Sequence, residues 1–351
     1  MRTTFARRLG AALARRHVLR RVGERLIGLD ASLAARLAPA SRGPAPLAPA
    51  PLAPAPQAPA PSEVAPAPVS PTVAPFLTLF APGHFYSPVP DLAEIEQRAD
   101  QLFSSARELP GIDLRAAAQL ELFGTLAALA REAPLPAVPG TTGRYGVENP
   151  NYGIGDASML QAMLRHLQPS QYLEVGSGYT TALALDTNER FLDGKMSLTA
   201  IEPHPEVLEA VLRPGDPVEI IAEPVQFVPI ERFRRLGDGD VLFLDCSHVL
   251  KTGSDVQHLY TNVLPVLAPG VCVHVHDIFW PFECLRHWVE AGRAWNEAYL
   301  LHAFLLFNGA FEILLWNHYL ALEHPGSVEA ELPAMLETPG GAIWLRRTPF
   351  A

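Results

Sequence analysis

The chain has 351 residues, 48% hydrophobic and 18% charged, enough for an apolar core over most of its length. Its net charge of −10 is uneven: residues 1–42 hold ten arginines against Glu24 and Asp30, which leaves the remainder strongly acidic. That excludes a body wrapping nucleic acid on a basic face, while the lack of any apolar run of roughly 18 residues excludes a membrane span.

Residues 1–38 read as a basic amphipathic helix, with Leu9, Leu13, Val18, Val22, Leu26, Leu29 and Leu33 spaced among arginines. Such a helix suits peripheral contact with an anionic membrane or docking on a partner protein, and it also resembles an organelle transit peptide. Residues 39–75 hold 13 prolines in 37 positions and predict an extended, disordered linker. Three cysteines make no disulfide framework and fit a reducing, cytoplasmic setting.

A helical cap region follows over 76–140, with helices expected at 92–109 and 114–131. Leu114, Ala118, Leu120, Leu122, Leu126 and Leu129 mark the apolar stripe of the second. A loop over 134–155 leads to a helix at 156–166, and from 141 to 351 strand and helix then alternate. The strands fall at 171–175, 197–201, 218–221, 241–244, 271–276, 311–316 and 342–346, the first five being short apolar runs of the kind covered on both faces. Helices are expected near 180–190, 205–213, 255–266, 285–293 and 295–307. None is needed between the last two strands, which pair antiparallel at the edge. The fold class is α/β: a Rossmann-like, seven-stranded, mostly parallel sheet.

The sharpest motif is Glu174-Val175-Gly176-Ser177-Gly178, where the first strand meets a helix. Gly176 and Gly178 permit a tight turn that brings a ligand close to backbone N–H groups, and Glu174 is expected to face the crevice. The dinucleotide fingerprint wants a third glycine where Thr181 stands. Glu202 ends the second strand, where a carboxylate can accept both hydroxyls of a ribose or cap the following helix.

With Asp245 at the end of the fourth strand, these residues resemble class I S-adenosylmethionine-dependent methyltransferases over about residues 145–348. Phe243-Leu244-Asp245-Cys246-Ser247-His248, Asp255 and His276-Asp277 are similar to a subgroup acting on small molecules. The resemblance implies S-adenosylmethionine as cofactor, held by Glu174, Gly176, Ser177 and Gly178 around the methionine part and by Glu202 at the ribose. Asp245 joins this set, and residues 223–226 lie near the adenine. It further implies a small-molecule acceptor, methylated at a hydroxyl.

Eight of the twelve histidines lie between His248 and His324. Asp245, His248, His276 and Asp277 end neighbouring strands and are expected in one cleft. Asp with His suits Mg, Mn or Fe. Some relatives bind a divalent cation through two aspartates and an asparagine; Asp245 and Asp277 match the aspartates, Ile278 stands at the asparagine, and His248 is a third-ligand candidate. Without metal, His248 is the first choice of general base, with Asp277 and His276 beside it. His274 reads as a satisfied core histidine. Phe279, Trp280 and Phe282 form either a pocket wall or core, and Glu297 is a further residue that can face the cleft. Two alternatives stay open: a metal enzyme of another reaction type on the same fold, and a non-catalytic scaffold using the N-terminal arm.

Overall fold

The computed structural model describes residues 79–105, 108–140 and 143–349. The basic helix expected over 1–38 and the linker expected over 39–75 lie outside the described residues. Seven strands, β1 (Gln171–Val175), β2 (Ser197–Ile201), β3 (Val218–Ile221), β4 (Val241–Leu244), β5 (Cys272–Val275), β6 (Phe311–Trp316) and β7 (Ile343–Arg347), form one sheet in the order β3-β2-β1-β4-β5-β7-β6. The first five are parallel, and β7 runs antiparallel to both β5 and β6. This is the expected Rossmann-like sheet with an antiparallel terminal pair, and helices pack around it. Strand order reverses between β1 and β4, and open α/β sheets bind ligands in the crevice outside such a reversal.

The helices that position the cleft are α1 (Ala116–Glu132), α2 (Ile154–Leu167), α3 (Tyr179–Phe191), α4 (Glu206–Val211), α5 (Arg286–Glu290) and α6 (Glu297–Leu305). Every residue of α2 from Gly155 to Leu164 is buried, as befits a helix covered on all sides by its neighbours. In α1 Leu126 is buried and Leu120, Leu122 and Leu129 pack half-buried against the core as expected, but the buried face also takes in the polar Gln119 with Phe123, Ala127 and Ala130. The Gln119 amide donates to the Leu114 carbonyl at 2.6 Å and accepts from Trp316 N at 2.8 Å, so a polar residue belongs inside.

Three expectations differ from the structure. The helix expected at 92–109 is two pieces, Leu92–Gln97 and Ala99–Leu102, with Ala99 the one buried residue to anchor them. The helix expected at 255–266 loosens after Asp255–His258 into a π turn, Leu259–Val263, and a 3₁₀ turn around Pro265. Between β6 and β7, where the sequence asks for no helix, stand three short ones, Asn317–Glu323, Pro325–Glu331 and Ala334–Glu337. Pro325 and Pro333 sit at helix starts, where a missing N–H leaves no bond unmade.

The segment 143–152 is strapped to the sheet domain by Arg144. Its guanidinium pairs with Asp216 at 2.5 and 2.7 Å and with Asp186 at 2.7 Å, while the Arg144 and Tyr145 backbone N–H groups both donate to Asp186 Oδ2. Arg144, Asp186 and Asp216 are all buried at the side chain. The Arg144 hydrogen bonds outweigh burial and hold the Asp216 pKa below its ordinary value, so this contribution is present near neutral pH and is lost as pH falls through the carboxylate range. Replacing Arg144 by Ala leaves two buried carboxylates unpaired and should cost about 3 kcal/mol of unfolding free energy. Urea denaturation at neutral pH checks this; an unchanged midpoint contradicts it.

Candidate active site

The glycine turn is shaped by what touches it. Gly176 has φ +81°, and a Cβ there would lie 1.7 Å from the Asp245 carbonyl oxygen, so β1 can leave the sheet beside β4 only as glycine. Its N–H donates to the Ile201 carbonyl at 3.0 Å, and Asp245 N donates to the Val175 carbonyl at 2.9 Å. Thr181, standing where the dinucleotide fingerprint has its third glycine, binds the turn through its side chain instead. Its hydroxyl donates to Glu174 and lies 3.4 Å from Gly178 N.

Glu174 differs from expectation. It does not face the crevice: it is fully buried, and the Thr180 and Thr181 hydroxyls donate to its two oxygens. Burial raises its pKa to about 8 despite those hydrogen bonds. It fastens the start of α3 to the end of β1. Glu202, half-buried at the end of β2, takes Ser177 N at 3.2 Å and His204 N at 2.8 Å, while the buried Ser177 hydroxyl has no partner among the described residues. A glycine-lined turn, a carboxylate on its rim and an orphaned hydroxyl fit a polar ligand bearing hydroxyl groups of its own. Gln226 instead donates to the Gly253 carbonyl at 2.8 Å, tying the loop after β3 to the loop after β4.

Beside this turn, β4 and β5 bring Asp245, His248, His276 and Asp277 together as expected. His248 Nε2 lies 3.3 Å from Asp245 Oδ1 and 3.6 Å from Asp277 Oδ2, and its Nδ1 lies 2.9 Å from Glu297 Oε2 on α6. Both His248 and Asp277 have left-handed backbone, φ 57° and 56°. Such conformers concentrate at functional sites and need support from neighbours. Here the His248 carbonyl accepts from Asn296 N and Glu297 N, Ser247 is pinned by Asp255 at 2.8 and 2.5 Å, and Ile278 N donates to the Gly341 carbonyl.

Burial alone would lower the His248 pKa, but hydrogen bonds to Asp245 and Glu297 and the charges of Glu297 and Asp277 hold it well above 6.5. The imidazole is therefore a cation at rest, not the group titrating near neutrality that the sequence suggests. Asp245, with 34% of its side chain exposed, is pushed up by burial but brought down to about 2 by His276 and His248. Burial raises the Asp277 pKa. His276 Nε2 stands 3.6 Å from Asp277 Oδ1, and its Nδ1 lies 3.3 Å from His274 Nε2 and 3.9 Å from Asp156 Oδ2. Burial lowers the His274 pKa well below 6.5, so this ring is neutral, and its Nε2 shares a hydrogen bond with His276 Nδ1. It stacks on Phe243, and its Nδ1 has no partner among the described residues, so it is a core histidine satisfied at one nitrogen.

The divalent cation implied by the resemblance does not fit. The His248 imidazole fills the space between the two aspartates, and among the described residues no three His, Cys, Asp or Glu side chains are arranged to hold a metal ion. The aromatic loop also resolves. Phe279, Trp280 and Phe282 are buried, Trp280 bonding Glu323 and packing on Tyr319, so they are core. Trp295 packs 4.5 Å from the His248 ring. Cys246 Sγ lies 3.7 Å from both Glu297 oxygens, and burial raises its pKa well above the ordinary thiol value, so it is no nucleophile.

Asp156 has no motif to betray it. It accepts from Asn317 Nδ2, Gly341 N and Ala342 N at 2.8 to 3.1 Å and sits behind His276, while Tyr152 packs 5.4 Å from that ring. A cavity of about 150 Å³ bordered by Met163, Gly239, Cys272 and Arg346 lies at the opposite edge of the sheet, where β4 and β5 begin, and is remote from these groups.

The methyltransferase domain family matches residues 173–278, which span β1 to the residue after Asp277. An uncharacterised protein of Archaeoglobus fulgidus is 31% identical over 163 residues, 45% of this chain and 74% of that protein. The chain belongs to the methyltransferase domain family. Among solved structures it is similar to the Podospora anserina methyltransferase PaMTH1 bound to SAH, at 16% identity over 74% of this chain and 98% of that one, with a TM-score of 0.38. It is also similar to the Streptomyces achromogenes O-methyltransferase TomG, involved in tomaymycin synthesis and solved with SAM, at 14% identity over 74% and 97%, with a TM-score of 0.36. Among the described residues no helix is long and apolar enough to cross a membrane.

Burial of Glu174 has a measurable consequence. An acid whose pKa is raised on folding makes stability fall as pH climbs from its ordinary value of 4.5 to about 8, because the unfolded chain ionises while the folded chain holds it neutral. Glu174→Gln removes that slope, so between pH 5 and pH 8 the variant should gain on the parent by up to about 4 kcal/mol. Urea midpoints across that range check it; parallel curves for the two proteins contradict it.

Proposed function

We propose that the chain transfers a methyl group from S-adenosylmethionine to a hydroxyl of a small acceptor. The observation that carries this reading is the meeting, at the β1/β4 reversal, of a ligand-shaped turn with a charged histidine cluster. When bound, S-adenosylmethionine supplies an electrophilic methyl on a positively charged sulfur. Asp245 and Asp277 at the cleft favour that positive charge. Glu202 is able to exchange two backbone N–H donors for two ribose hydroxyls, and Ser177 Oγ offers a further hydrogen bond.

His248 acts from its Nε2. As an imidazolium it must first release a proton, and Asp277, whose pKa burial raises, is within 3.6 Å to receive it. The freed nitrogen then takes the proton of the acceptor hydroxyl, and the imidazolium that re-forms is stabilised by Asp245 and Glu297, the two neighbours that still carry charge. Glu297 keeps Nδ1–H occupied, so the exchanging nitrogen is always the one beside the aspartates. His276, 3.6 Å from Asp277, balances the charge of that carboxylate.

Calorimetric titration of S-adenosylhomocysteine into the full chain tests the reading. Micromolar affinity is expected, weakened at least about tenfold by Glu202→Ala, which removes two charge-assisted acceptors. Absence of binding to the parent protein contradicts it.

A further inference from the structure

Arg293 lies between α5 and α6, and a chain of ring contacts connects it to the cleft. Its guanidinium carbon is 4.1 Å from the Trp288 ring centre and 5.0 Å from that of Trp295, and the two indoles meet edge to face at 5.2 Å. Trp295 in turn packs 4.5 Å from the His248 ring. Arg293 is therefore one indole ring away from His248.

The guanidinium makes no hydrogen bond and no ion pair among the described residues. Arg286, on the adjoining α5, behaves differently and bonds Glu290 at 2.7 Å. Two indole faces hold the Arg293 plane without using any of its five N–H donors. A half-buried arginine fixed in this way keeps little freedom to lose when a partner arrives, and its flat fork matches a carboxylate or phosphate. The cleft below is acidic, so an anionic group would be repelled from Asp245 and Asp277 and drawn outward to Arg293.

We infer that the acceptor is a small hydroxylated acid, its carboxylate or phosphate held by Arg293 in the corner of Trp288 and Trp295 while its hydroxyl reaches His248. This deepens the methyl-transfer reading and rests on it for the role of the hydroxyl, but the anion site stands on its own geometry. The two ring distances, 5.0 and 4.5 Å taken end to end, bring the guanidinium within reach of a single-ring acceptor seated at His248. Trp288 and Trp295, both half-buried, supply the flanking apolar surface.

The test is titration of the full chain with 4-hydroxybenzoate, phenyl phosphate and the neutral 4-hydroxybenzamide, followed by calorimetry and tryptophan fluorescence. At least one anion is expected to bind about tenfold or more tightly than the amide, the strength of a charge-assisted pair. Which anion binds decides between carboxylate and phosphate. That advantage should vanish in Arg293→Met and stay absent in Arg293→Lys, which keeps the charge but not the fork, while S-adenosylhomocysteine affinity is unchanged in both. Equal binding of amide and anions, an advantage that survives Arg293→Met, or no binding of either anion up to about 10 mM overturns the inference. Loss of S-adenosylhomocysteine binding in the parent protein, with the Arg293-dependent advantage intact, would instead remove the methyl-transfer reading and leave the anion site.

Discussion

The imidazole of His248, buried and flanked by Asp245, Asp277 and Glu297, sets the arrangement of this end of the sheet. A charge taken out of water is tolerated only where opposite charges and hydrogen bonds replace the lost hydration. The three carboxylates come from three places, the ends of β4 and β5 and the first turn of α6. Holding them around one ring fixes the course of three connections at once. His248 and Asp277 both take left-handed backbone here, a conformation that side chains favour only where their surroundings hold it.

The same residue that contributes the first carboxylate also shapes the glycine turn. The Asp245 carbonyl is the atom that forbids a side chain at Gly176, while the Asp245 side chain binds His248. Turn geometry and cluster charge are thus coupled through one amino acid at the point where strand order reverses. Behind them, Glu174 and the two threonines hold α3 against β1, and the Arg144 pairs bind the segment whose Tyr152 packs on His276. A ligand entering between β1 and β4 would meet prearranged groups on both sides and need order little of the protein itself.

Much of this is legible in the sequence because strands buried on both faces read as short apolar runs, and four of the cluster residues sit at the ends of neighbouring strands. What escapes depends on contacts that no local pattern encodes. Asp156 is a single acid in a helix otherwise buried, and its partners Gly341 and Ala342 lie 185 and 186 residues away. Glu297 reads as an acid that can face the cleft, but nothing local shows that it would bond His248 Nδ1. Glu174 reads as facing the crevice because its position at a strand end says nothing of Thr180 and Thr181, which turn it inward. Gln119 falls outside the apolar stripe of its helix, since a polar side chain carries no sign of the backbone groups it will satisfy. The short helices between β6 and β7 stay hidden because prolines that start helices look the same in sequence as prolines that break them.

The most direct measurement is a histidine-resolved NMR titration of the full chain, with His248→Gln to assign the signal. The account predicts that the His248 ring remains an imidazolium well above pH 6.5, with its Nδ1 proton held against exchange by Glu297. A ring that titrates at or below its ordinary value would contradict the charged cluster on which the site is built.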